Sequence, residues 1–353
     1  MHPKIYKSYS DLYSRLFKMV IRNGYEVGER NSNVVCKRLS PICYGLDLQT
    51  AGDPFFYIPN RKWGLQVALA EVNWILNGTL FLKDSNILEE APPLVQFMDE
   101  SDEFFWAQYG SRMFQAGAQE SIVDKDRFVE FTQAPVPIDQ MKELVKTIKI
   151  KDGFILPSRR LVISIWSPFL DLVPDKKDYA CNVMLMFNIR NDRYAERNYI
   201  DISVIRRSND IIWGIQNNFV QFWSVLMEFI HQVKKHAIFN FGESPHTIGP
   251  GYLYEFNHNL HYYTKHSYGK RYDEAVSAVE TWSDSRIRTN LNSAYIPEFE
   301  SCWPMVRRHF AEIVDILKMK KKVAIKNHLN LPHIKDSLWN KTNLYRYLRS
   351  ISK

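Results

Sequence analysis

The sequence is short of cysteine. Its 353 residues contain four, Cys36, Cys43, Cys181 and Cys302, far apart and never in a CxxC pair. That spacing argues against a disulfide-stapled scaffold and against a zinc ribbon or finger, and leaves each cysteine as a thiol. Long apolar runs are missing too: none approaches the ~20 residues that a membrane-spanning helix needs. The opening stretch, "MHPKIYKSYSDLYSRLFKMVIRNGYEVGER", mixes polar and apolar side chains without the apolar centre of a secretory leader, so the expected compartment is the cytoplasm. Internal repeats and low-complexity tracts are absent, which sets aside solenoids and disordered linkers. What remains, 45% hydrophobic and 24% charged, is the make-up of a globular protein with a large core.

Positive charge is concentrated in one place. Residues 318–353 hold eight Lys, two Arg and one Asp, a net +9, so with +7 for the whole chain the rest stands near −2. Such a basic segment either meets an acidic partner or nucleic acid, or forms a solvated helical surface.

Helical spacing predicts an amphipathic helix over 4–23. A stronger helix lies in "RKWGLQVALAEVNWILNG", where Leu65, Leu69, Val72 and Leu76 recur every three or four residues and Asn77-Gly78 ends the run. "PIDQMKELVKTIKIKDG" reads as a helix closed by Asp-Gly. Then come the β-rich runs "RRLVISIWSP", "ACNVMLMFNIR" and "YIDISVIRR", and later the alternating "GYLYEFNHNLHYY". "FVQFWSVLMEFIHQV" carries a broad apolar stripe and predicts a buried helix. From about residue 297 the pattern is helical. The expected fold class is α+β, a mostly antiparallel sheet packed against long helices, with a catalytic body over 1–297 and a basic helical C-terminal extension over 298–353.

Some residues could carry chemistry. Arginines recur in "GERNSN", "SRRLVISIW" and "IRRSND"; their forks match phosphate or carboxylate oxygens, though isolated pairs also serve as surface ion pairs. Cys181, at the start of a strand, is core filler or, with an arginine beside it, a nucleophile. Glu71 sits at the edge of an apolar stripe, and is either solvent-facing or held inside as a general acid/base. Asn217 and Asn218 precede the buried helix, where one would serve as an N-cap; a side-chain amide also pairs with an imide-type ring edge such as that of uracil.

In this order and spacing the pieces resemble the thymidylate synthase family, which includes the pyrimidine hydroxymethylases, over roughly residues 25–260. "PNRKWGLQVALAEVNWILNG" is similar to the family's basic turn and Glu-Leu-Leu-Trp helix, giving Glu71 and Trp74. "QYGSR" is similar to its Tyr-Gly motif, giving Tyr109. "PSRRLVISIWSPFLDL" resembles its "SRR-strand-Trp-Asn-Pro-x-(D/E)-L" block, with Arg159, Arg160 and Trp166. The nucleophile motif Pro-Cys-His appears as "ACN", giving Cys181. "IRRSNDIIWGIQNNF" resembles the "QRSxDxxLGxPFN" loop, with Arg207, Ser208, Asp210, Gly214 and Asn218 at matching intervals.

The resemblance implies that Arg30, Arg159, Arg160 and Arg207, with Ser208, hold a nucleotide 5′-phosphate, the paired arginines crossing into a partner's site in a homodimer. It implies Cys181 as the nucleophile at C6 of the pyrimidine, with Arg207 favouring the thiolate. Glu71 would organise water and proton transfer, and Tyr109 would assist removal of the C5 proton. Asp210 would bind substrate, Asn218 would read uracil rather than cytosine, and Tyr254 would touch the ribose. The cofactor implied is 5,10-methylenetetrahydrofolate. The sequence departs from the pattern at Asn182 (His in the synthases) and at Arg206 (Gln in the motif). It departs again at Pro250 and Tyr252 in the ribose motif, and before Tyr109, where Phe97 and Phe105 stand in place of a tryptophan pair. A polar Asn182 and fewer folate-stacking aromatics fit attack by water on the transferred methylene, hence 5-hydroxymethyl-dUMP ahead of dTMP. The other readings are a dCMP hydroxymethylase, a catalytically silent nucleotide-binding scaffold, and a nucleic-acid protein that uses its basic tail.

Overall fold

The structure, a computed structural model, describes residues 3–28, 35–55, 57–99, 102–123, 137–173, 176–242, 244–263, 270–284, 303–331 and 342–353. Among these, the strands in chain order are β1 (Lys4–Tyr6), β2 (Tyr25–Gly28), β3 (Val35–Leu39), β4 (Ile42–Asp47), β5 (Ile150–Lys151), β6 (Phe154–Ile155), β7 (Val162–Ser164), β8 (Asn182–Asp192), β9 (Arg197–Arg206), β10 (Asn209–Asp210), β11 (Thr247–Asn257) and β12 (Leu260–Tyr263). The helices that shape the site and core are α1 (Tyr9–Asn23), α2 (Leu65–Asn77), α3 (Tyr109–Phe114), α4 (Gln140–Lys146), α5 (Ile215–Phe241), α6 (Trp303–Lys318) and α7 (Asn343–Ser352).

The large sheet runs β1-β4-β11-β9-β8-β7. Its pairs are mostly antiparallel, as expected, but two are parallel, β1–β4 and β9–β11, so the sheet is mixed. The second parallel pair has a topological cause. α5 carries the chain along the sheet between β9 and β11, and parallel neighbours need such a crossover. α5 has 27 residues, about 40 Å at 1.5 Å per residue. The expected helix over 4–23 divides into β1 and α1, with Ser8 as the cap whose hydroxyl accepts from the Asp11 N–H. Asp152-Gly153 closes no helix. Both residues have positive φ, 52° and 74°, and they form the turn of the β5–β6 hairpin, a conformation that matches strand twist.

Alternation along the strands sorts the large sheet into two faces. Leu185, Phe187 and Ile189 of β8, Ile200, Ile202 and Val204 of β9, and Leu253 of β11 are buried under the helices. Phe187 stacks on Phe229 of α5 at 4.1 Å. The other face carries Cys43, Met184, Met186, Tyr252, Tyr254 and Phe256, all at least partly exposed.

The boundary expected near 297 lies outside the described residues, as does Cys302. The helices beyond it share the core: Trp303 of α6 meets Trp223 of α5 edge-on at 5.7 Å and donates its indole N–H to Glu228 at 2.8 Å. Asn343 of α7 donates its backbone N–H to Asp53 and its side-chain amide to the Phe55 carbonyl, both at 2.9 Å. Among the described residues, no helix is long and apolar enough to cross a membrane.

Candidate active site

The residue after β9, Arg207, folds back over the segment that leads into β8. Its Nε donates to the Ala180 carbonyl at 2.8 Å and its Nη2 to the Tyr179 carbonyl at 3.0 Å; Nη2 also lies 3.8 Å from Cys181 Sγ. On the other side Asp171 accepts the Ala180 N–H at 2.9 Å. Asp171 is itself fixed by a buried bidentate pair with Arg112, at 2.6 and 3.3 Å. The loop bearing Cys181 is therefore clamped from both sides. Burial pushes the Cys181 thiol up; Arg207 opposes this and Asp178 adds to it. Burial wins, so Arg207 alone does not make the thiolate dominant at neutral pH.

α3 opens at Tyr109 and rests on the end of α2. The contact requires glycine: a Cβ on Gly110 would stand 2.5 Å from the Ile75 carbonyl oxygen. This packing brings Tyr109 to the main chain of Cys181. Burial, then the charges of Cys181 and Asp178, raise its hydroxyl far above the usual tyrosine range, so it acts as a neutral hydrogen-bonding group.

Glu71, in the middle of α2, points inward. Its Oε2 accepts from Asn217 Nδ2 at 3.2 Å and from Gln221 Nε2 at 2.9 Å. Burial raises its carboxyl to about 7, against the pull of those two donors. Asp178, three residues before the cysteine, accepts the Ala107 N–H at 3.2 Å, and burial raises it to about 6.

Behind Cys181 lies a closed polar cluster. Arg206 donates to Asn182 Oδ1 at 2.6 Å and to Glu255 at 2.9 Å, and Glu255 accepts the Tyr44 hydroxyl at 2.5 Å. The side chains of Arg206 and Glu255 are both 0% exposed. The guanidinium also lies over Phe222, 4.7 Å from the ring centre. The two departures, Asn182 and Arg206, thus contact each other, and Glu255 supplies the buried counter-charge to Arg206.

The remaining expected residues divide. Ser208 Oγ is 3.3 Å from His261 Nδ1. Asp210 accepts the Ile212 and Trp213 N–H groups, both at 2.7 Å, and so shapes the turn into α5. α5 starts at Ile215 after Gly214, so Asn217 and Asn218 sit in its first turn and neither is the cap. Asn218 donates to Asn209 at 3.0 Å, which leaves its carbonyl and second N–H for a ligand. Arg159 and Arg160 are exposed and stand away from this cysteine: Leu161 pairs with Phe187, and β8 climbs ~20 Å between Cys181 and that level. Tyr254 shares the outer face of the sheet with Tyr252, opposite Glu255. Arg30 lies outside the described residues.

Sequence reading missed Asp178, Gln221, Glu255 and His261. Gln221 carried a usable signal, since it lies one helical turn beyond Asn217. Glu255 could have been sought as the partner that a buried arginine demands.

A family model described as thymidylate synthase matches residues 11–337, and the chain belongs to that family. Among curated proteins it is 28% identical over 222 residues to the deoxyuridylate hydroxymethyltransferase of Bacillus phage SP01, covering 62% of this chain and 50% of that one. It is 24% identical over 225 residues to the thymidylate synthase of Phytoplasma mali (strain AT), covering 58% and 68%. A deoxyuridylate hydroxymethyltransferase of Pseudomonas phage M6 matches at 32% over 92 residues, covering 26% of this chain and 24% of that one. The chain thus spans about half the length of the phage SP01 relative.

Proposed function

We propose that this protein transfers a one-carbon unit to C5 of dUMP through a covalent Cys181 adduct, and that the product is 5-hydroxymethyl-dUMP. The observation that carries the reading is that Cys181, Tyr109 and Glu71, from three separate elements, all lie within reach of the Asp178 charge, beside an arginine that spans the nucleophile loop. Cys181 attacks C6 and leaves C5 electron-rich. Tyr109, held against the Cys181 main chain, hydrogen-bonds where the C5 proton departs. Glu71, poised near neutrality, relays protons at the base. Asn218 offers a donor and an acceptor to the uracil edge, and Arg207 with Ser208 takes the phosphate.

The residues present fit 5,10-methylenetetrahydrofolate. Trp74, one turn along α2 from Glu71, packs edge-on to Phe105 at 5.2 Å and keeps a buried indole N–H without a partner among the described residues. An aromatic wall with a spare donor suits a flat, acceptor-rich ring. That cofactor would supply the carbon at the oxidation level of formaldehyde. The outer sheet face, with its methionines and tyrosines, suits a second copy of the chain. Arg159 and Arg160, remote from their own cysteine, would then serve the partner's phosphate site; Arg30 would be a further phosphate ligand. The exposed Lys320, Lys321 and Lys322 would offer an acidic partner its contact.

The test is incubation with C5-tritiated dUMP and methylenetetrahydrofolate, counting tritium released to water and weighing the product nucleotide. Release with a hydroxymethyl mass is expected. A methyl mass would make the chain a synthase. Release from dCMP alone would reverse the base assignment. No release from either would leave a nucleotide-binding role.

A further inference from the structure

The clamp on Glu71 has a second side. Asn217 and Gln221 stand one turn apart on α5, and each gives an amide N–H to the same carboxylate oxygen, Oε2. Their carbonyl ends, Asn217 Oδ1 and Gln221 Oε1, are buried and have no hydrogen-bond partner among the described residues. Orphaned buried acceptors are costly, by about 1–3 kcal/mol each, unless something donates to them. The carboxylate fixes the orientation of both amides, because reversing either would set oxygen against oxygen. Two orphaned acceptors therefore belong to amides that are both bonded to Glu71 Oε2, and Asn217 holds the position that the "QRSxDxxLGxPFN" pattern gives to phenylalanine.

A cluster of acceptors without donors selects one small ligand, water. A water that gives its two hydrogens to two such acceptors keeps its lone pairs for an electrophile. We propose that Asn217 and Gln221 are positioning residues that hold, together with Glu71, the water consumed in hydroxymethyl formation. The inference rests on the proposed function and specifies its last acceptor. In the step, the water oxygen bonds to the exocyclic CH2 carried on C5. The C5=CH2 electron pair moves toward the C4 carbonyl, and one water proton passes to the Glu71 carboxylate. The enolate electrons then re-form C5=C6 as the C6–S bond breaks, returning Cys181. No oxidant or reductant enters.

The test compares wild type with Asn217→Phe and Gln221→Met in the presence of 2-mercaptoethanol, which competes with water for the same methylene. Wild type is expected to yield the hydroxymethyl product. In each variant the ratio of hydroxymethyl to thioether product is expected to fall at least tenfold, whatever happens to overall rate. Because each variant is its own competition, a merely structural weakening leaves the ratio unmoved. An unchanged ratio in both folded variants overturns the inference while leaving the proposed function standing. A methyl product from wild type overturns it as well. No tritium release from wild type sinks the proposed function itself. A readout without turnover is a crystal structure of the protein alone. A water bridging Asn217 Oδ1 or Gln221 Oε1 to Glu71, lost in Gln221→Met, is the expected result; an empty cradle in wild type refutes the assignment.

Discussion

Two walls meet at Cys181 and follow different rules. One wall, with Cys181, Arg207 and Ser208, keeps the residues of the family pattern. The other, with Asn182, Arg206 and Asn217, departs from it, and each departure has acquired a partner. Arg206 is neutralised by Glu255 and tied to Asn182. Asn217 is bound to Glu71 together with Gln221. A surface position can change alone; a buried polar one changes in company, because a lone buried charge is far more costly than a paired one.

The largest effect is expected at the wall that keeps the family pattern. Cys181→Ser is expected to reduce C5 tritium release by about a thousandfold or more, with dUMP binding retained in calorimetry. The departing wall is probed by Arg206→Gln, which strands Glu255; denaturant unfolding is expected to show a loss of about 3–5 kcal/mol. The double variant Arg206→Gln/Glu255→Gln should recover most of that loss, which separates pairing from packing.

Glu71 joins the two walls, and its effect depends on pH. Its carboxyl titrates at about 7 in the native protein against an ordinary 4.5. Between those values the native state binds more protons than the unfolded one. Stability therefore falls as pH rises through 4.5, and the loss is complete above 7. Glu71→Gln should be more stable than wild type by about 1–3 kcal/mol at pH 8, with no gain below pH 4.5, while turnover drops about a hundredfold. A smaller effect tests the proposal that Arg159 and Arg160 serve the site of a second copy. Arg160→Ala should weaken dUMP binding by about tenfold, and mixing it with Cys181→Ser should restore part of the activity if sites are shared between copies. The smallest concerns the thiol alone: Arg207→Gln should slow alkylation of Cys181 at a fixed mildly alkaline pH by a few-fold, since it removes the main charge that opposes burial.

Much of the first wall was legible because its signals are local. Cys181, Arg207 and Ser208 are read from spacing along β8, β9 and the loop after them. The second wall was not, because its meaning lies in pairs: Arg206 with Glu255 across 49 residues, Glu71 with Gln221 across 150. No window of sequence contains both members. The face that Tyr254 takes follows from alternation along β11: it lies beside Tyr252, opposite Glu255. The parallel pairing of β9 with β11 within this mostly antiparallel sheet was within reach, since the long helical run between two strand patterns already implied a crossover.

The bonds from α7 to the segment before α2 have a consequence for synthesis. Asn343 satisfies Asp53 and Phe55, and the Tyr347 hydroxyl donates to the Trp63 carbonyl at 2.8 Å. These contacts close loops of more than 280 residues. A chain emerging from the ribosome at ~5–20 residues per second must keep its early segment waiting for about 15–60 s before those partners appear. During that interval Phe55 and Trp63, buried in the finished protein, lack their final cover. Nascent chains stalled before α7 should therefore be the form that chaperones hold and proteases cut.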